Sequence, residues 1–263
     1  DEEFAEAYLR NPPDPGPLSQ YSNHGWIDDE QAEVFRNHEF FKKVQGKLSI
    51  KDPDVLHDIQ ENTLHILGRC NNPEDWGENK QGLVYGMVQS GKTASMINLI
   101  SMGILSGYKL FILLAGDKSS LRNQTQERIN TSFGLVNGVS TEEGIHSVTW
   151  KEDFGSTGNA YTGSFKTRRL TTGKPGYVNI IVIKKETHHL QNLIDQLMLL
   201  KSFCEEHGFD VNKEFPAMIL DDEADYASQK TKITNDPSIH KKLVTLRETI
   251  PRNCYVAYTA TPQ

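Results

Sequence analysis

Apolar positions along the chain fall into two alternating rhythms. Short runs at Leu83-Val84-Tyr85, Leu110 to Leu114, Val178 to Ile183, Ala217 to Leu220 and Cys254 to Tyr258 are rich in branched and aromatic residues and predict buried strands. Between and around them, Ala94 to Leu105, Leu190 to Phe203 and Ser238 to Ile250 carry apolar residues at helical spacing. Strand, loop and helix repeated in this order predict an α/β fold, a mainly parallel sheet with helices on both faces. Upstream, Ile27 to Val44 and Asp54 to Leu67 also repeat at helical spacing. A helical N-terminal extension over residues 26–80 is therefore expected to pack on an α/β lobe of residues 81–263. The stretch Asn11-Pro12-Pro13-Asp14-Pro15-Gly16-Pro17 cannot hold regular structure, which leaves residues 1–25 as an arm or linker. From about 131 to 176 Gly, Ser and Thr displace aliphatic residues, predicting a loop-rich insertion with short strands. Lys201 to Asp210 reads as a helix end and turn, with Gly208 as the cap.

The loop between the first strand and the helix from Ala94 is chemically specific. Gly86-Met87-Val88-Gln89-Ser90-Gly91-Lys92-Thr93 fits G-x-x-x-x-G-K-S/T at every fixed position. Glycines let the backbone curl so that successive N–H groups face phosphates, and the following helix aims its positive end at them. Lys92 is then expected to reach the β- and γ-phosphates and the Thr93 hydroxyl to ligate Mg²⁺. Gly86, Gln89, Ser90, Gly91, Lys92, Thr93 and Ala94 are the expected contacts of a nucleoside triphosphate.

The run Ala217 to Leu220 ends in Asp221-Asp222-Glu223-Ala224-Asp225, which reads as a parallel strand delivering carboxylates at its C-terminal edge. Ligand crevices of open α/β sheets lie at that edge, so the acidic stretch and the phosphate loop are expected at one pocket. Asp222 is the candidate Mg²⁺ ligand, since Mg²⁺ keeps several waters and takes one or two carboxylates. Glu223 is the candidate base for the attacking water.

Asp222-Glu223-Ala224-Asp225 spells the box that names one helicase class, and the last strand runs into Thr259-Ala260-Thr261-Pro262. From about residue 81 to 263 the sequence resembles the first RecA-like lobe of a superfamily 2 helicase or translocase, a P-loop NTPase domain. Phosphate loop, acidic box and Thr-Ala-Thr-Pro segment then stand as motifs I, II and III. Leu110 to Gly116 followed by Leu121-Arg122-Asn123-Gln124-Thr125-Gln126 looks like motif Ia, which touches the nucleic-acid backbone in that superfamily and makes Arg122 and Gln124 candidate contacts. Thr259 and Thr261 can hydrogen-bond to Asp225, a candidate link between nucleotide state and strand binding. The finer wording, Gly82 to Ala94, Leu114-Ala115-Gly116, Leu121 to Arg128 and Asp221 to Asp225, resembles bacterial helicase-like proteins carrying a Z-1 domain, a family described as endonucleases and linked with restriction-modification and anti-phage gene clusters. The resemblance implies ATP and Mg²⁺ as cofactors, DNA rather than RNA as partner, and a second RecA-like lobe and C-terminal domains beyond this chain. It implies an ATPase that is almost inactive as a lone lobe. Lys184-Lys185-Glu186 departs from it, standing where many superfamily members have a Thr-Pro pair.

Composition narrows this reading without overturning it. The 263 residues can bury a sizeable core. There is no 18-residue apolar run to span a membrane, and Asp1-Glu2-Glu3-Phe4 has neither basic flank nor apolar core for export. The three cysteines, Cys70, Cys204 and Cys254, are widely spaced without a C-x-x-C pair, so a reducing cytoplasm is expected. A net charge of −7 argues against tight nonspecific nucleic-acid binding by this chain alone, because such affinity comes from lysine and arginine. Its one basic cluster in the insertion, Lys166, Arg168 and Arg169 beside Tyr161 and Phe165, is a conceivable strand contact, with a solvated hairpin as the plainer reading. Gln60 invites comparison with an adenine-reading glutamine, although an ordinary surface role fits its distance from the loop better. His188-His189 is not expected to form a joint metal site, since adjacent helical side chains face apart. No second carboxylate and lysine constellation for a nuclease is found. A nucleotide-dependent switch or scaffold that binds ATP without translocating stands as the alternative to a motor.

Overall fold

The computed structural model describes residues 24–85, 89–140, 144–149, 153, 178–222 and 237–259, with side chains at 89, 90 and 237 left out. Seven strands are described: β1 (Gln81–Tyr85), β2 (Leu110–Ala115), β3 (Val139–Ser140), β4 (Ile145–Ser147), β5 (Val178–Lys184), β6 (Ala217–Asp221) and β7 (Asn253–Thr259). They form one sheet in the order β1-β7-β6-β2-β5-β4-β3. All pairs are parallel except β3 with β4. Eight helices are described: α1 (Asp29–Asn37), α2 (Glu39–Gln45), α3 (Pro53–Arg69), α4 (Gln89–Leu105), α5 (Ser119–Ser132), α6 (Thr187–Glu206), α7 (Val211–Glu214) and α8 (Pro237–Thr249).

Strands β2, β5 and β6 are buried on both faces, as β7 mostly is, and their period of two sorts each side chain to one of two cores. Phe111, Leu113, Ile180, Val182, Met218, Leu220, Cys254, Val256 and Tyr258 join the core that also holds residues of α1 to α5. Leu110, Ile112, Leu114, Ile181, Ile183, Ala217 and Ile219 join the other, under α6 and α8. The helices after β1 and β2 lie on the first face as the chain steps toward β5. Those after β5 and β6 lie on the second as it steps back, the pattern that right-handed crossovers require. The chain therefore leaves β1 and β6 toward opposite faces, and the crevice opens between them at the C-terminal edge.

The helical extension shares the first core. Phe41, Leu64 and Leu67 are fully buried in one cluster with Leu99 and Ile100 of α4. Burying a side chain of this size contributes about 1.5–3 kcal/mol. The periodicity from Ile27 to Val44 covers two helices rather than one, because His38 adopts extended backbone and its Nδ1 accepts from the Phe40 N–H, capping a new start. At the far end of α3 the segment from His24 to Trp26 crosses so closely that a Cβ on Gly68 would lie 1.4 Å from the His24 carbonyl oxygen. Only glycine fits there.

Two strand expectations change. β1 was expected to be buried, yet Leu83 is 55% and Tyr85 41% exposed. The reason is position: among the described residues β1 has a neighbour on one side only, β7, and only Val84 packs against the first core. Within the loop-rich stretch, β3 and β4 extend the main sheet through a parallel β4–β5 pair. The turn after α6 is as expected, ending at Glu206 with Gly208 at φ +72°.

The approach to β1 is fixed by one side chain. Buried Asn71 donates from Nδ2 to the carbonyls of Trp76 and Glu78, both at 2.6 Å, and its Oδ1 accepts from the Lys80 N–H at 2.9 Å. Asn71→Ala is expected to lower stability by at least about 1–3 kcal/mol, the cost of stranding one such buried group. A shift in urea midpoint with unchanged slope checks this.

Candidate nucleotide site

The parallel register brings the sequence motifs to one edge of the sheet. Tyr85, the last residue before the phosphate loop, is level with Thr259 on β7, and Asp221 on β6 is level with Ala257 and Leu114. One residue beyond, Asp222 donates its N–H to the Leu114 carbonyl at 3.0 Å. Thr259, the first residue of the Thr-Ala-Thr-Pro segment, thus ends beside the strand that feeds the loop.

Helix α4 begins at Gln89, so Gly91, Lys92, Thr93 and Ala94 lie in its first turns. The N–H groups of a helix's first turn have no intrahelical partner and carry the positive end of the macrodipole. The surface at Gly91 is open, since an added Cβ would meet nothing within 4 Å. Lys92 and Thr93 are half-buried and Ala94 is buried against the sheet. The Lys92 ammonium has no hydrogen-bond or ion-pair partner among the described residues. Thr93 does have one: Nη1 of Arg128 on α5 donates to its Oγ1 at 2.8 Å.

The two aspartates at the end of β6 have different fates. Asp221 follows Ala217 and Ile219 in the alternation and turns to the second face, where it is completely buried. There Lys185 Nζ, also fully buried, meets its Oδ1 at 2.9 Å and Tyr255 donates its hydroxyl to Oδ2. Lys185 also donates to the Asp222 carbonyl at 2.7 Å, and its own N–H bonds to the Gly116 carbonyl. Asp222 is half-buried. Its charge acts on the Tyr258 hydroxyl, whose proton is held tightly mainly by burial, while Ser95 of α4 lies 3.4 Å from that hydroxyl. Asp222 thus lies within electrostatic reach of Tyr258 in the first core, whereas Asp221 is tied to Lys185 and Tyr255 on the second face. Sequence spacing pointed to Asp222 without a reason to exclude its neighbour, and the locked Asp221 supplies one.

Several expected residues lie outside the description. Gly86, Glu223, Asp225, Thr261, Lys166, Arg168 and Arg169 are not among the described residues, and the side chains of Gln89 and Ser90 are likewise outside it. Arg122 is a correction. It is 3% exposed, and its guanidinium donates to the carbonyls of Val182 and Thr149 and to Gln126 Oε1, clamping α5 to β5. A group so engaged is not offered to a nucleic-acid backbone. Gln124, two residues on, is exposed. Gln60 bonds to Gln45 Oε1 at 2.7 Å and joins α3 to α2.

The histidine pair is also corrected in its geometry. The rings of His188 and His189 lie 4.1 Å apart, and with Glu186 their donor atoms fall within 4.8 Å of one another. The Glu186 carboxylate already receives Lys184 Nζ at 3.3 Å, and Asp153 approaches the other ring nitrogen of His189. Burial lowers the His189 pKa. The Lys184–Glu186 ion pair and the two imidazoles thus form one polar cluster at the start of α6. Sequence reasoning missed Arg128 and the role of Lys185. The latter had one signal, a lysine at the end of an apolar strand where a Thr-Pro pair was expected.

Comparison with known proteins adds little to this geometry. No family profile and no curated protein matches the chain. Among solved structures, the pCW3 conjugation coupling protein TcpA, in its monomer form with ATPgS, is similar at 11% identity and a TM-score of 0.29. The match covers 71% of this chain and 44% of that one. A likeness of that degree carries neither fold nor function from one protein to the other. Among the described residues no helix is long and apolar enough to cross a membrane.

Lys185→Met is expected to cost about 3–5 kcal/mol, because it leaves a buried carboxylate uncompensated. The double variant Lys185→Met with Asp221→Leu is expected to recover most of that loss. Urea unfolding of the two single variants and the double variant checks both expectations.

Proposed function

We propose that this chain is the ATP-binding and hydrolysing motor lobe of a helicase- or translocase-like protein acting on DNA, with the RecA-like character and Z-1 family membership that its motifs suggest. The observation that supports this most directly is the convergence at one sheet edge. The strand feeding the phosphate loop, the start of the Thr-Ala-Thr-Pro segment and the acidic strand end together there, with Asp222 one residue beyond the locked Asp221. An open helix start with an unpaired lysine suits a polyphosphate, and a half-buried carboxylate opposite it suits a hydrated Mg²⁺.

In this reading the first turn of α4 and Lys92 hold the β- and γ-phosphates. Thr93 and Asp222 would hold Mg²⁺, which would supply positive charge to the phosphate oxygens. Glu223, next in the chain, orients and deprotonates the attacking water. Asp225, Thr259 and Thr261 couple the nucleotide's state to the strand-binding surface. The γ-phosphate side stays open on a single lobe, so water enters and transition-state charge is uncompensated until a partner lobe closes over it. A role in a restriction or anti-phage system belongs to the same proposal and rests on the sequence resemblance alone.

Lys92→Ala in the full-length protein is expected to abolish tight ATP binding, by removing the charge that meets the β- and γ-phosphates. Glu223→Gln is expected to retain ATP and lose hydrolysis. Equilibrium ATP binding and phosphate release, with and without single-stranded and duplex DNA, distinguish the cases. Unchanged affinity and turnover in a folded Lys92→Ala protein would sink the assignment. ATP binding with turnover indifferent to nucleic acid would favour a switch or scaffold.

A further inference from the structure

We propose that Arg128 is the residue that distinguishes nucleoside triphosphate from diphosphate at this site, resting on the Thr93 hydroxyl when the site is empty and moving to the terminal phosphate when Mg-nucleotide enters. The inference rests on the nucleotide-binding reading and adds a residue and a regulatory step to it. Arg128 stands on an exposed part of α5, and its Nη1 donates to Thr93 Oγ1 at 2.8 Å across 35 residues of sequence. Neither Arg128 nor Lys92 meets a carboxylate among the described residues, in a chain whose 35 acidic residues outnumber its 28 lysines and arginines. Among the described residues these two cations flank the same turn without an acidic partner.

Among the described residues that turn gathers positive charge. The start of α4 already carries the positive end of the helix dipole, and a guanidinium and an ammonium beside it add like charge. An anion relieves all three at once. A phosphate group has the shape for it, since the planar guanidinium fork can donate two parallel hydrogen bonds to phosphate oxygens.

The contact with Thr93 supplies the switch. The oxygen that receives Arg128 is the one expected to hold Mg²⁺. A divalent cation held there would compete with the guanidinium for the same oxygen, and the released Arg128 fork would be free to meet the terminal phosphate of a bound triphosphate. A diphosphate ends one group short.

The test is equilibrium binding of Mg-ADP and of a Mg-bound non-hydrolysable ATP analogue to the full-length protein, as wild type, Arg128→Ala and Arg128→Lys. Arg128→Ala is expected to weaken the triphosphate analogue about 10- to 100-fold, the range of a hydrogen bond to a charged group. It should leave ADP affinity within about twofold, and Arg128→Lys, which keeps charge without the fork, should fall between. The side chain is exposed, so both variants are expected to melt with wild type. Equal loss for both nucleotides, or no change in either, overturns the proposal while leaving the nucleotide site standing. Wild-type protein that binds neither nucleotide overturns both readings together.

Discussion

The buried Lys185–Asp221 pair decides how the edge of the sheet is used. Two charges with no exposure to water are costly to desolvate, and their attraction offsets that cost only where the remaining hydrogen-bonding positions are filled. Here Tyr255 donates to the second carboxylate oxygen and the Asp222 carbonyl accepts from the Lys185 ammonium, while the Lys185 backbone N–H bonds to the Gly116 carbonyl. The lysine reaches from the end of β5 past β2 to the end of β6, so three neighbouring strand ends are tied in one network. Its consequence for function lies in the residue it leaves out. With Asp221 committed to the second face, Asp222 lies one residue beyond it, within electrostatic reach of Tyr258 in the first core.

That division shows why part of the site was legible in the sequence. A strand's period of two and a loop's glycines are local properties, and both could be read from neighbouring residues. The five apolar runs became strands and the helices on both faces followed. The exposure of β1 could not be read, because Leu83-Val84-Tyr85 has the same composition whether it lies at an edge or in the middle of a sheet. Edge position is a property of topology. The break at His38 was hidden for a related reason, since apolar spacing continues through two helices that bury the same side.

The polar residues divide on the same principle. Arg122 was expected to contact nucleic acid because its segment resembles motif Ia. In the fold its guanidinium satisfies carbonyls of two other segments, Val182 and Thr149, which only the packing of α5 on β5 brings within reach. Lys185 looked like a departure from a pattern and proves to be a structural cation. Arg128, unremarkable in the sequence, faces the phosphate-loop threonine from another helix. Partners distant in sequence decide the role of each of these charges.

A chain with net charge −7 can still hold an anion, because affinity follows the local field and not the sum. Lys185, fully buried, is neutralised by Asp221 and contributes little field at the crevice. Arg122 is spent on carbonyls inside the fold. Lys92 and Arg128 are left at the mouth of α4, where backbone N–H groups add to them rather than cancel them. Acidic residues farther away than about 8–10 Å are largely screened at physiological salt, so the field there is set by the groups nearest to it. Capture of a long polyanion is a different matter, since it requires many phosphates to be neutralised along its length. Among the described residues the charge distribution therefore suits a compact anion at this edge better than nonspecific capture of a polyanion.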